Sequence, residues 1–225
     1  MSRTYCIPGV FFLFSAFFLL CIVSISLPRF QAMDITRIDT SGMGGGSGDQ
    51  VFAFTQFRFG IWGYCIGSPS GFECFNTGHG YSVTFANPQD TLITIGPSWT
   101  RGLAVLPVAA CVAFIALLLS ISQHITITLV ASLVSFLAAL LTLIGFAINI
   151  ALYAYVKHEL GTLNTDETTL TGPGFWLTFV ALLLLILAGC TVCFGRRRDR
   201  MAGATDNSYQ LNNFKGGFLS RFRRN

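Results

Sequence analysis

The sequence has little charge, since only 11% of its 225 residues are charged whereas 52% are hydrophobic. A soluble domain of this size cannot hide so large an apolar share from water, whereas a lipid bilayer accepts it as a solvent. The formal net charge of +4 is too small to indicate a nucleic-acid-binding protein, so no nucleic-acid partner is expected. The composition therefore indicates an integral membrane protein.

Catalytic motifs are also lacking. The sequence contains no hydrolase elbow, phosphate-binding loop, H-E-x-x-H segment or N-x-[ST] sequon. The interiors of its long apolar runs hold no acidic or basic residue, which transporters and proton relays usually need. We therefore expect no enzyme activity, no cofactor and no metal site, and a channel or transporter is the less favoured alternative. Thr142 and Asn149, both within the third run, are expected to hydrogen-bond between helices.

Four apolar runs are long enough to cross the ~30 Å hydrocarbon core of a bilayer. They are predicted as transmembrane helices at residues 7–27, 102–122, 125–156 and 175–194. For the first run a signal peptide is the alternative, but the run exceeds an h-region of about 7–15 residues, and Pro28-Arg29 offers no small-residue cleavage site. The third run is longer than a bilayer requires, so we expect it to tilt or to project beyond the membrane.

Basic residues set the expected orientation of these helices. The segment after Phe194 is rich in arginine, and by the positive-inside rule residues 195–225 form a basic cytoplasmic tail. Four spans then place residues 1–6 in the cytoplasm as well, with a short cytoplasmic turn at residues 123–124. The predicted extracellular loops are residues 28–101 and 157–174.

The first extracellular loop combines a glycine-rich start with strand patterns. Residues 40–48 read Thr-Ser-Gly-Met-Gly-Gly-Gly-Ser-Gly, which is typical of a flexible linker and carries no strand signal. Apolar and polar residues alternate at 57–61 and 81–85, and residues 91–95 are rich in β-branched side chains. The expected fold is therefore membrane α-helical, a four-transmembrane-helix bundle with a small extracellular antiparallel β-sheet.

Two cysteines of this loop stand apart from the other five. Cys65 and Cys74 lie in polar loop sequence that faces an oxidising compartment. The short loop between them is easily closed by a disulfide, worth ~2–3 kcal/mol in the entropic account. Two free thiols or a metal pair are the alternatives, although zinc needs about four ligands and only Glu73 and His79 are near. As an external histidine, His79 is also a candidate pH sensor, with a simply solvated loop histidine as the favoured alternative.

The stretch Phe59-Gly60-Ile61-Trp62-Gly63-Tyr64-Cys65, followed after eight residues by Cys74, resembles the Gly-Leu-Trp…Cys…Cys signature of the claudin superfamily. It is more similar to the fungal members, the PalI-type pH-response proteins and the eisosomal tetraspan proteins. Arg101 lies just before the second span, where claudin-like proteins often keep an arginine. Claudins carry an additional tryptophan where this chain has Arg29-Phe30, and PalI-type proteins often have longer tails.

The residues of this motif also have a direct physical interpretation. Gly60 and Gly63 permit the close approach of neighbouring backbone. Trp62 suits the headgroup level of a membrane, where its ring is in an apolar environment and its N–H is in water. A structural role in holding the sheet together is the alternative to a functional one.

The resemblance implies a claudin-like plasma-membrane protein with cytoplasmic termini that organises membrane domains or assemblies and is linked to cell-wall, eisosome or pH-response functions. Its expected partners are membrane lipids, with sterol or sphingolipid as candidates, other membrane proteins, and further copies of the chain in a homo-oligomer. An accessory subunit of a larger membrane enzyme or receptor, with one defined partner, is the alternative.

The start of the tail is a candidate lipid-binding segment. Each basic residue there can gain ~1 kcal/mol from anionic lipids of the inner leaflet, although a plain stop-transfer signal explains the cluster equally well. The arginines concerned are Arg196, Arg197, Arg198 and Arg200. Cys190 and Cys193 are candidate palmitoylation sites near the inner boundary, with unmodified buried cysteines as the alternative.

Overall fold

The computed structural model describes residues 6–27, 29–30, 32–46, 52–86, 92–122, 125–161 and 167–191. Within these ranges the main helices are α1 (Cys6–Ser24), α2 (Pro97–Ser120), α3 (Ile125–Gly161) and α4 (Pro173–Thr191). Helix α2 has three parts, because a 3₁₀ turn at Gly102–Ala104 joins the short helix Pro97–Arg101 to the helix Val105–Ser120.

Three of these helices are long and apolar enough to cross a membrane, namely α2, the Leu129–Gly161 part of α3, and α4. The apolar part of α1, Pro8–Ser24, is shorter. The expectation of a membrane-helical protein is therefore confirmed, whereas the fourth span stays a prediction.

Two helices extend beyond their predicted limits by more than one helical turn. Helix α2 already begins at Pro97, a residue that suits the first turn of a helix because its missing N–H would have no partner there. Helix α3 continues past residue 156 to Gly161, and its 37 residues reach ~56 Å. Its far end is buried in the same core as the strands, through Leu152, Val156 and Leu160.

Alanines dominate the contacts between the helices. In lipid, apolar side chains gain nothing by leaving the bilayer, so helices associate through close packing of small residues. The buried alanines of this cluster are Ala16 in α1, Ala109, Ala110, Ala113 and Ala116 in α2, Ala138 and Ala139 in α3, and Ala181 and Ala188 in α4.

An antiparallel sheet lies at one end of the bundle, where α1 ends and α2 begins. Its strands are β1 (Thr36–Gly46), β2 (Phe52–Phe59), β3 (Gly63–Ser68), β4 (Gly71–Asn76), β5 (Val83–Ala86), β6 (Leu92–Ile95) and β7 (Glu167–Thr171). The order is β4-β3-β2-β1-β5-β6, and β7 pairs with β1. The sheet is larger than predicted because it also takes in the glycine-rich segment and a strand from the second predicted loop.

A flexible linker was predicted at residues 40–48, and this prediction is wrong for residues 40–46, which the structure describes. Strand β1 runs through this segment to Gly46 and lies inside the sheet. Gly44 and Gly45 pair with β2 on one side and with β5 on the other. Backbone N–H and C=O groups form this ladder without any side chain, so low strand propensity did not prevent it.

The second predicted loop, residues 157–174, also contributes a strand. Strand β7 pairs with Thr36–Thr40 of β1. Strand β5 pairs with the later residues Gly44–Gly46, so β7 and β5 share one edge of β1. The segments on either side of the α2–α3 pair are thus joined in one sheet.

A single aromatic cluster forms the inward face of the sheet. The ring of Phe57 lies 4.9 Å from Phe59, 5.1 Å from Tyr64 and 5.1 Å from Phe85, measured between centroids. These rings come from β2, β3 and β5, and they pack in one core with side chains of the helices such as Leu103. The sheet and the outer helix ends therefore share one hydrophobic core.

A first prediction concerns the passage from β7 to α4. Gly172 N–H donates to Ile35 O at 2.9 Å, and a Cβ on Gly172 would meet the carbonyl group of Asp34. We expect Gly172→Ala to destabilise the protein by about 1–3 kcal/mol, seen as a lower unfolding temperature in detergent. Gly161→Ala is the matched control, because a Cβ there meets no atom within 4 Å. Equal unfolding temperatures for the two variants would contradict this close approach.

Candidate functional site

The glycines of the motif form a tight turn that packs on the end of α1. Gly60 N–H donates to Gly63 O at 2.9 Å, which closes the turn between β2 and β3. A Cβ on Gly60 would meet Leu27, and a Cβ on Gly63 would meet the carbonyl oxygen of Phe75. Both positions therefore require glycine because other parts of the chain approach closely.

Trp62 connects this turn to the helix that precedes the sheet. Its Nε1–H donates to the carbonyl oxygen of Ser24 at 2.7 Å, and Ile61 N–H approaches Ser26 Oγ at 3.4 Å. The last carbonyls of an α-helix have no partner within the helix, so Trp62 satisfies one of them. The expectation of a hydrated indole N–H is thus corrected, because this N–H binds protein backbone.

Tyr81 connects the same turn to the start of α2. Its hydroxyl donates to Gly60 O at 2.8 Å, and Thr100 Oγ1 donates to Tyr81 O at 2.7 Å. Both bonds are buried, and burial raises the pKa of the Tyr81 phenol, so this group stays protonated and remains a donor. A continuous path of hydrogen bonds therefore joins α1, the motif turn and α2.

The predicted disulfide between Cys65 and Cys74 is confirmed. The two residues are direct partners in the β3–β4 ladder, with Cα atoms 4.1 Å apart. The alternatives of free thiols and of a metal pair are excluded by this bond. The disulfide links β3 to β4, which is the strand at the end of the sheet.

The sheet face opposite the core carries a set of connected polar side chains. Asp34, which is fully buried, accepts hydrogen bonds of 3.0 Å from both Nε and Nη2 of Arg37. The hydrogen bonds that Arg37 donates to Asp34 raise the pKa of Arg37. Gln56 Nε2 donates to Asp39 Oδ1 at 2.5 Å, so neighbouring strands are also joined through their side chains.

Arg58 continues this set toward the disulfide. Its Nε donates to Gln56 Oε1 at 2.8 Å, and its guanidinium carbon lies 4.3 Å from the ring centroid of Phe72. Burial lowers the pKa of Arg58, although an arginine stays charged at any physiological pH. The polar groups of this face are therefore bound to one another in two sets, Asp34 with Arg37 and Asp39 with Gln56 and Arg58.

Buried threonines inside the bundle donate hydrogen bonds to their own helices. Thr142 Oγ1 donates to Ala138 O at 2.8 Å and Thr178 Oγ1 donates to Gly174 O at 2.8 Å. The prediction of an interhelical hydrogen bond is therefore wrong for Thr142, because a threonine in a helix reaches its own preceding turn. The fully buried amide of Asn149 has no hydrogen-bond partner among the described residues.

Other predicted residues lie apart from this site or outside the described ranges. His79 is exposed in the turn before Tyr81, and Cys190 is an exposed free thiol on α4. Within the described ranges, no group of three or more His, Cys, Asp or Glu residues could hold a metal. Cys193 and the tail arginines, Arg196, Arg197, Arg198 and Arg200, lie outside the described residues.

Comparison with known proteins identifies one family. The model of the SUR7/PalI family matches residues 5–191, which include every helix and strand described above. No curated protein matches the chain. The family match agrees with the resemblance carried by Gly60, Trp62, Gly63 and the two cysteines.

The Trp62 hydrogen bond leads to a second prediction. Trp62→Phe keeps an aromatic ring but removes the donor, which leaves the Ser24 carbonyl without this partner. We expect a loss of about 1–3 kcal/mol and a lower unfolding temperature in detergent. Trp176→Phe is the control, because Trp176 is 57% exposed. If both variants unfold at the same temperature, the Trp62 bond does not stabilise the junction.

A third prediction concerns the disulfide. Replacing both Cys65 and Cys74 by Ser should destabilise the protein by about 2–3 kcal/mol, because the unfolded chain regains the freedom of the closed loop. The single change Cys111→Ser, at an exposed free thiol, should have little effect. Mass spectrometry without reduction should find Cys65 joined to Cys74 in the unmodified protein, and finding both thiols free would contradict the structure.

Proposed function

The chain belongs to the SUR7/PalI family, and from that premise we propose that it is a non-catalytic, four-span plasma-membrane protein that organises membrane domains or assemblies. In this proposal both termini are cytoplasmic and the sheet is extracellular. The role is linked to cell-wall, eisosome or pH-response functions, as the fungal proteins with a similar motif suggest.

The observation that carries this proposal is the rigid connection between the sheet and the membrane helices. Trp62 holds the motif turn to α1, while Tyr81 and Thr100 hold it to α2. A partner bound to the sheet is thereby fixed in position relative to the bundle. Such a connection suits a protein that sets how its neighbours are arranged in the membrane.

Each part of the molecule has a separate role in the proposed assembly. Other membrane proteins or further copies of the chain contact the sheet and the lipid-facing helix surfaces. Arg196, Arg197, Arg198 and Arg200 bind anionic lipids of the inner leaflet, and palmitoylation at Cys190 and Cys193 strengthens this attachment. Sterol or sphingolipid is the candidate lipid of the organised domain.

The proposal is tested by chemical cross-linking of the full-length protein in its native membrane, followed by gentle detergent extraction and mass spectrometry. A membrane organiser should yield homo-oligomers and several neighbouring membrane proteins. One partner at fixed stoichiometry would instead support an accessory subunit of a membrane enzyme or receptor. Substrate-specific flux through liposomes that contain only this protein would establish a channel or transporter and overturn the proposal.

A fourth prediction tests whether the sheet makes these contacts. Leu92 on the terminal strand β6 is 64% exposed, and Leu170 on β7 is 48% exposed. An exposed strand edge with an apolar side chain favours pairing with another protein, and a charge disfavours it. We expect Leu92→Glu to reduce cross-linking severalfold without lowering the unfolding temperature. Leu170→Glu tests the exposed apolar position on β7 in the same way. Unchanged cross-linking in both variants would contradict contacts through the sheet.

A further inference from the structure

Arg101 is an exposed arginine whose side chain is placed by a glycine. A Cβ on Gly80 would lie 2.5 Å from Cγ and 2.8 Å from Nε of Arg101. Gly80 also has a φ of +77°, a conformation that favours glycine. The turn before Tyr81 therefore leaves a cradle that the arginine side chain occupies.

The two sides of this cradle are fixed to each other. Thr100, which precedes Arg101, donates its hydroxyl to the carbonyl of Tyr81, which follows Gly80, at 2.7 Å. This hydrogen bond is buried, and Tyr81 is itself bound to the motif turn. The guanidinium group is thus held in a defined position although its residue is exposed.

Arg101 has no anionic partner within the described part of the chain. The salt bridge found among these residues joins Arg37 to Asp34, and Arg101 makes no hydrogen bond or ion pair with them. A positioned guanidinium whose donors are not used by any described residue is suited to an external anion. Its planar fork of N–H groups matches the oxygens of phosphate, which it can bind with two parallel hydrogen bonds.

The position of Arg101 along α2 corresponds to the headgroup level of a membrane. The membrane-spanning part of α2 continues directly from this residue into apolar sequence. Trp99 stacks on Tyr155 of α3 with ring centroids 4.3 Å apart, and Trp176 is exposed near the start of α4. Tryptophan and tyrosine concentrate at membrane–water interfaces. When α2 spans a membrane, Arg101 therefore lies where the headgroup phosphates of the leaflet on the sheet side are expected.

From this placement we infer that Arg101 binds a phosphate group, and that this phosphate is the headgroup phosphodiester of a phospholipid in that leaflet. A phospholipid places its phosphate beside Arg101 while its chains cover the apolar surface of α2. The membrane thus holds phosphate groups at a high local concentration beside Arg101, whereas free phosphate in water is dilute. This inference is independent of the proposed organising function, since it needs only that α2 spans the membrane.

The test uses full-length protein in phospholipid-free detergent, titrated with phosphatidylcholine and analysed by native mass spectrometry. We expect Arg101→Gln to weaken lipid retention about tenfold, as the loss of a charged hydrogen-bond donor predicts. Lipid retention by Arg101→Lys should lie between that of Arg101→Gln and that of the unmodified protein. Lysine keeps the positive charge but lacks the planar fork of N–H donors. Arg29→Gln is the matched control, because it removes an exposed arginine close to the end of α1.

Unfolding temperatures of all variants are measured in parallel, so that loss of binding is not confused with loss of the fold. Equal retention by Arg101→Gln and the unmodified protein would overturn the site, as would an equal loss in Arg29→Gln. A second arm adds inorganic phosphate without phospholipid. If phosphate alone raises the unfolding temperature as much as the lipid does, and Arg101→Gln abolishes the rise, the lipid source is overturned and the site belongs to free phosphate.

Discussion

The bond between Trp62 and the end of α1 is the contact on which the rest of the molecule depends. A helix that ends at a membrane surface exposes carbonyl groups that water or another donor must satisfy. Here the donor comes from the motif turn, since Trp62 Nε1–H reaches Ser24 O at 2.7 Å. The same turn receives the hydroxyl of Tyr81 on its other side. One short turn thus positions the sheet relative to α1 and α2.

The remaining features of the sheet preserve this placement. Strand β7 joins the sheet from the segment between α3 and α4 and leads directly into α4, with Gly172 packed against the backbone of Asp34. Helix α3 extends past the bilayer thickness and buries its end beneath the strands. Each described helix is therefore held to the same sheet by the end that lies on the sheet side. The disulfide secures β4, which has a neighbour on one side only and would otherwise separate most easily.

Sequence patterns predicted the disulfide and the helices but not two of the strands. The Cys65–Cys74 pairing was predictable because only these two cysteines lie in polar loop sequence, and the apolar runs marked the helices by length. The strand at Thr36–Gly46 was not predictable, because glycine carries no strand preference and the ladder also depends on β5 and β7, which are distant in the chain. Strand β7 was missed for a related reason, since its partner β1 lies more than a hundred residues earlier in the sequence.

The sequence by itself determined the class of molecule, because hydrophobicity, charge distribution and cysteine position are properties of composition and order along the chain. It also located Gly60, Trp62, Gly63 and Arg101 as residues of interest. Only the tertiary structure decided what these residues do. The partner of the Trp62 N–H, the cradle of Arg101 on Gly80 and the strand formed by the glycine-rich segment all arise between parts of the chain far apart in sequence. Such contacts depend on which surfaces meet after folding, and local patterns carry no information about that.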